Sequence, residues 1–356
     1  MLNEHLPDRR SLLKTGALAS AALAAGASRA FASSSPRPTK GDIAILRLLA
    51  AAELVEADLW QQYAELGGLS SGTQNPYQLA LQQLDSDGSQ YISSNTLDEH
   101  SHAEFLNAYL SSIGAHPVNL DRFRTLPSSK ATGAKQIGRL TNLMELSVDT
   151  SWYVRYRSVT NPDFGATFPQ ALPALFAGKF PAIPRTNADF GPQNHIQVIA
   201  NTAAFHFGYI EQGGSSLYQT LSRKVSSLEV LKITLGIGGD EIAHFLEWVD
   251  FAGNGVQAPV APVTDGGLTF PDFFANPPLQ PPSLVQPSLI FPVPCEFISP
   301  KLPHCAVIRP TDDKFAGAVA TIASFTQDGL FFGQQKKFLR VLQQLADEAD
   351  SARREI

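Results

Sequence analysis

A chain of 356 residues with 44% apolar and 17% charged residues has ample material for a buried core, which excludes a disordered chain or a disulfide-built miniprotein. Its formal charge of −6 argues against nucleic acid or an anionic membrane as partner. With 25 prolines and 26 glycines, part of the chain must be loop.

The first segment reads as an address rather than as part of the fold. Arg9-Arg10-Ser11-Leu12-Leu13-Lys14 precedes an alanine-rich apolar stretch and Ala30-Phe31-Ala32, the order of charged, apolar and small-x-small regions of an export signal over residues 1–32. The adjacent arginines resemble a twin-arginine signal, which implies export of an already folded protein to the periplasm or beyond the cell, with any cofactor inserted beforehand. Removing four cations (Arg9, Arg10, Lys14, Arg29) against Glu4 and Asp8 takes the formal charge from −6 to −8. No later apolar run is long enough to cross a bilayer, so no membrane association is expected after signal removal.

Apolar residues at three-to-four spacing predict a helix over 43–66, stopped by Gly67-Gly68. A second is predicted over about 94–113, after a loop at Asn75-Pro76. A third spans about 134–158, and the prolines recurring from Pro162 to Pro192 then forbid any long helix. Helical patterning resumes over 195–221 and 228–251. Residues 41–253 are thus expected to be all-α, a four-helix bundle with an extra inserted helix. Residues 254–356 read as a proline-rich wrapping segment, pinned by a Cys295–Cys305 disulfide, and a C-terminal helix from Thr311 interrupted near Gly329 and Gly333.

Two of these helices carry the same motif, Asp98-Glu99-x-x-His102 and Asp240-Glu241-x-x-His244. A glutamate and a histidine three apart share one helix face, so both reach a common point between helices. Each motif follows a helix with a glutamate seven residues before a tyrosine, Glu56 with Tyr63 and Glu211 with Tyr218. The order Glu, Glu-x-x-His, Glu, Glu-x-x-His matches a carboxylate-bridged two-metal site inside a bundle. Glu56, Glu99, His102, Glu211, Glu241 and His244 are therefore the candidate ligands. Four carboxylates balance two divalent cations, and the hard oxygen-rich set suits iron or manganese. Taken singly, such a pair is also common on a solvated helix; two in this order are harder to dismiss.

The ordered motifs resemble the ferritin-like superfamily. Ala52-Glu53-Leu54-Val55-Glu56-Ala57 and Asp98-Glu99-His100-Ser101-His102-Ala103, with the leader, look like the secreted ferritin-like domain proteins, a group that includes desiccation-related proteins. The resemblance implies a ferritin-like bundle over residues 41–253 and metal ligands at the six positions above. Three alternatives stay open. Glu53 could replace Glu56; Glu145, with His206 on the next helix, could replace Glu211; and Gly236, Gly238 and Gly239 could break the helix before Glu241 or admit a close neighbour. Tyr63 and Tyr218 are candidate donors to ligand carboxylates, or ordinary core tyrosines.

The function expected is an exported di-iron or di-manganese protein that reacts with oxygen or peroxide, as oxidase, peroxidase or catalase. The rival is a non-catalytic stress or desiccation-related bundle with a vestigial site. An oligomer is compatible with either, and no hydrolase or nucleotide motif is present.

Overall fold

Thr39 starts the first long helix. Its hydroxyl accepts from Asp42 N–H while the Asp42 carboxylate accepts from Thr39 N–H, a reciprocal cap, and α1 runs Lys40–Gly67 to a stop at Gly68. The computed structural model describes residues 37–69, 74–155, 169–276, 292–293, 298–307 and 317–355. Residues 1–32, expected to be an export signal, and Cys295 lie outside the described residues; Cys305 is exposed and unbridged.

After α1 come α2 (Pro76–Leu84) and α3 (Gly88–Ser112). Asn75-Pro76, expected to be only a break, starts α2: Asn75 caps the helix by accepting from Gln78 N–H, and proline at the first position loses no bond there. α3 packs along α1.

The helix expected over 134–158 does not form over 134–150, and 156–158 lie outside the described residues. Residues 113–150 run as irregular chain with a short 3-10 turn at Asp121–Phe123, and only Ser151–Arg155 (α4) is helical before 155. Helical periodicity was outbid here by side-chain bonding from α1. Asp58 Oδ2 accepts from Leu140 N–H (2.9 Å), Thr141 N–H (2.9 Å) and the Thr141 hydroxyl (2.7 Å), and Oδ1 accepts from Arg124 (2.6 Å). Those bonds satisfy backbone groups that a helix would otherwise need.

After α5 (Pro173–Ala177), the second hairpin consists of α6 (Gln193–Ser222) and α7 (Leu228–Asn254). Ser227 caps α7, and Asp42 on α1 accepts from Ser226 N–H (2.8 Å) and Ser227 N–H (3.2 Å), which ties this turn to the start of the first hairpin. The glycines of α7 do not interrupt it. Gly238 is the one that matters for packing, since a Cβ there would lie 2.8 Å from Tyr218 Cβ; Gly236 and Gly239 face nothing within 4 Å.

Beyond α7, β1 (Val263–Asp265) and β2 (Leu268–Phe270) form a tight hairpin turning at Gly266-Gly267, both at positive φ. A second small pairing joins β3 (Pro292–Val293) to β4 (Cys305–Ala306). The C-terminal stretch is two helices, α8 (Ala318–Gln327) and α9 (Lys336–Asp350), separated where Gly329 and Gly333 adopt positive φ. Asp350 at the end of α9 accepts from Ala318 and Val319 N–H at the start of α8, and α9 packs on α1. Among the described residues the protein is mostly helical, with these two small β pairings and two isolated bridges, and no helix there is long and apolar enough to cross a membrane.

Candidate metal centre

The four long helices bring seven titratable side chains to one interior point. Glu53 and Glu56 come from α1, Glu99 and His102 from α3, Glu211 from α6, and Glu241 and His244 from α7; all are buried, with Glu53 and Glu241 at 0% exposure. Two ligand groups result, Glu53–Glu99–His102–Glu241 and Glu99–Glu211–Glu241–His244, with the ligand atoms of each within 4.8 Å of one another. Glu99 and Glu241 belong to both, the arrangement a pair of bridging carboxylates requires.

Both imidazoles turn the same nitrogen inward. His102 Nδ1 lies 3.3 Å from Glu53 Oε2, 3.5 Å from Glu99 Oε2 and 3.7 Å from Glu241 Oε1. His244 Nδ1 lies 3.1 Å from Glu99 Oε1 and 3.4 Å from Glu211 Oε2. The outward nitrogens meet the aspartates of the motifs crosswise: His102 Nε2 is 3.1 Å from Asp240, and His244 Nε2 is 3.4 Å from Asp98. Each Asp-Glu-x-x-His therefore supplies a carboxylate that orients the other helix's histidine.

The sequence-predicted residues fall as follows. Glu99, His102, Glu211, Glu241 and His244 converge. Glu53 occupies the place in the first group that Glu56 was expected to fill; Glu56 is buried beside it and belongs to neither group. Glu145 is exposed on irregular chain and His206 binds Tyr63 (Nδ1 to OH, 2.7 Å), so neither joins the cluster. Tyr218 donates a short hydrogen bond to Glu53 Oε1, whereas Tyr63 serves His206.

Asn95 and Gly214 escaped the sequence reading. Asn95 Nδ2 donates to Glu99 Oε1 (2.7 Å), and its place one turn before Glu99 was the available signal. Gly214 lies on α6 where a Cβ would overlap Glu241 Oε2, so its missing side chain makes room for the Glu241 carboxylate.

Electrostatically the cluster is strained without a cation. Burial, then the Glu211 carboxylate, raises the Glu99 carboxyl to about 7, despite the opposing pull of His102 and His244. Burial, followed by neighbouring glutamates, pushes Glu56 and Glu241 well above the usual carboxylate range. Burial alone would lower the histidines, but the adjacent carboxylates outweigh it and hold His102 at about 11 and His244 at about 12. Even so, Glu53 Oε2, Glu99 Oε2, His102 Nδ1 and both oxygens of Glu211 and Glu241 have no hydrogen-bond partner; the approaches of the two Nδ1 atoms to the glutamates lack hydrogen-bond geometry. Orphaned buried oxygens converging on one point are what a divalent cation would satisfy, and the donor set fits iron or manganese better than the sulfur-rich sites of structural zinc.

No family model, no curated protein and no solved structure matches the chain. The reading of the site rests on its own geometry.

Proposed function

We propose that the protein is an exported ferritin-like bundle holding two iron or manganese ions that react with dioxygen or peroxide. The observation that carries the reading is the pair of overlapping four-ligand groups, with their unpartnered oxygens, inside four long helices. Glu53 and His102 would hold one ion and Glu211 and His244 the other, with Glu99 and Glu241 shared. Such a centre supplies redox equivalents to a small oxidant. The chain's own residues do the rest. Asp240 and Asp98 hold each imidazole with Nδ1 inward, Tyr218 fixes one oxygen of Glu53, and Gly214 keeps space for Glu241. Glu53, Glu99, Glu211 and Glu241 are at most 1% exposed, so the carboxylates are shielded from bulk water.

The deciding measurement is metal content of the full chain purified from its exported fraction. Two ions per chain are expected, falling below one in Glu99→Ala, which removes a ligand from both groups. Less than about half an ion per chain, unchanged by that substitution, would leave only the vestigial structural reading.

A further inference from the structure

Among the buried tryptophans, one is wired to the cluster. Trp60 Nε1 has no hydrogen-bond partner and Trp152 Nε1 donates to a backbone carbonyl, whereas Trp248 Nε1 donates to Asn95 Oδ1 at 2.7 Å. Indole nitrogen only donates, so the Asn95 atom facing it must be the oxygen; the amide nitrogen then faces Glu99 Oε1 at 2.7 Å and His244 Nδ1 at 3.3 Å. A line of two hydrogen bonds thus joins a carboxylate shared by both ligand groups to an indole ring at 0% exposure. Tyr91 approaches that ring edge-on, with centroids 6.5 Å apart, from a partly buried position. Asp85, Asp87, Glu247 and Asp250 surround Tyr91 closely enough to act on its ionisation. Apolar packing alone would be served by any large ring and needs no amide bonded to a ligand.

We propose that Asn95, Trp248 and Tyr91 form a one-electron path between the buried cluster and the surface. The proposal rests on the two-metal reading. The Trp248 indole would give one electron to a centre oxidised by dioxygen or peroxide, becoming a radical cation that keeps its Nε1 proton in the bond to Asn95. Tyr91 returns that electron, losing one electron to Trp248 and its phenol proton to water. An external one-electron donor then reduces the Tyr91 phenoxyl, which takes a proton back from water. The net transfer is one electron from donor to centre, with both rings restored. The donor is a cationic or neutral reductant, because the four acidic groups around Tyr91 repel anions.

Full-length protein, Trp248→Phe and Tyr91→Phe are first tested for uptake of iron(II) and manganese(II). Uptake of neither by the wild type defeats the two-metal reading, and the path with it; uptake of manganese alone keeps that reading and overturns the iron-driven path. Iron-loaded samples carrying ring-deuterated tryptophan or tyrosine are then mixed with peroxide and freeze-quenched for electron paramagnetic resonance. An organic radical that responds to tryptophan labelling is expected in the wild type and is lost in Trp248→Phe at equal iron content. In Tyr91→Phe the radical should stay on tryptophan, with slower re-reduction by hexaammineruthenium(II). An equal radical in Trp248→Phe, iron oxidation with no organic radical in the wild type, or unchanged re-reduction in Tyr91→Phe overturns the proposal. Should Trp248→Phe lose its fold or its iron, Tyr91→Phe, altered at a partly buried position, carries the test.

Discussion

Helix α1 buries two sets of acids that differ in what surrounds them. At about 100° per residue, Asp58 and Glu65 point to one side and Glu53 and Glu56 to the other. On the first side every charge is met. Asp58 accepts from Leu140, Thr141 and Arg124, while Glu65 Oε2 pairs with Arg139 Nη2 at 2.5 Å and accepts from Lys135 N–H. On the second side carboxylates face carboxylates, with two histidines and many oxygens unbonded. Burying an acid is tolerable when its partners are built in, and costly when they are not. One helix thus carries a finished structural joint and, facing the other way, a cluster of acids that could hold a metal ion.

The largest effect should come from breaking the finished joint. Arg139→Met leaves Glu65 buried beside an apolar chain and removes one of the two bonds that hold residues 135–139 to Glu65 of α1, leaving that from Lys135 N–H. A loss of about 3–5 kcal/mol in urea unfolding is expected, with or without metal. A loss much below that would mean the joint contributes little and the contrast between the two faces of α1 is false.

Completing the other face should act in the opposite direction. Metal at a free concentration a hundredfold above its dissociation constant should stabilise by about 2.7 kcal/mol per site through mass action. Thermal melts before and after chelation read this directly, and identical melts would count against occupancy.

The pH dependence should then separate loaded from stripped protein. The Glu99 carboxyl lies at about 7, above its ordinary 4.5, so its contribution to the stripped fold is present below 4.5 and fades as pH rises toward 7. Glu56 and Glu241 shift in the same direction. The stripped protein should therefore melt higher at pH 5 than at pH 8. Loaded protein should do the reverse, because each ion displaces protons from His102, His244 and the carboxyls, and acid drives it out. Melting curves of both forms from pH 5 to 8 should cross; parallel curves would break the comparison.

The paired Asp-Glu-x-x-His motifs and their helices were legible because helical periodicity and i,i+3 spacing are local properties. Glu99, His102, Glu241 and His244 were marked by spacing; Glu211, with Glu145 left open as its alternative, was marked only by the order of the motifs. The choice between Glu53 and Glu56 was not, since both lie on the inward side of α1 and only the position of Tyr218 and His102 across the interior separates them. The helix expected over 134–158 failed for a related reason. Its periodic residues do pack in the core, as Leu140, Leu143, Leu146 and Val148 are buried, but the backbone bonds go to Asp58, Phe180, Leu175 and Leu330, partners far away in sequence. Periodicity records which side chains are buried, and long-range bonding decides whether the backbone coils.

Gly214→Ala should sharpen the comparison with the least disturbance to the fold. Alanine is favoured over glycine in a helix by about 1 kcal/mol, so the backbone of α6 gains from the change. The added Cβ meets only the far end of the Glu241 side chain, which can rotate away at little cost to packing. Stability of the stripped protein should shift by less than about 1 kcal/mol, while both metal positions lose a shared ligand. Metal content measured beside urea unfolding distinguishes the outcomes. If Gly214→Ala still takes up two ions, Glu241 is not a bridge. If it takes up none yet unfolds like the wild type, the acids on this side of α1 are held for a cation rather than for the fold, the converse of Asp58 and Glu65 on the other.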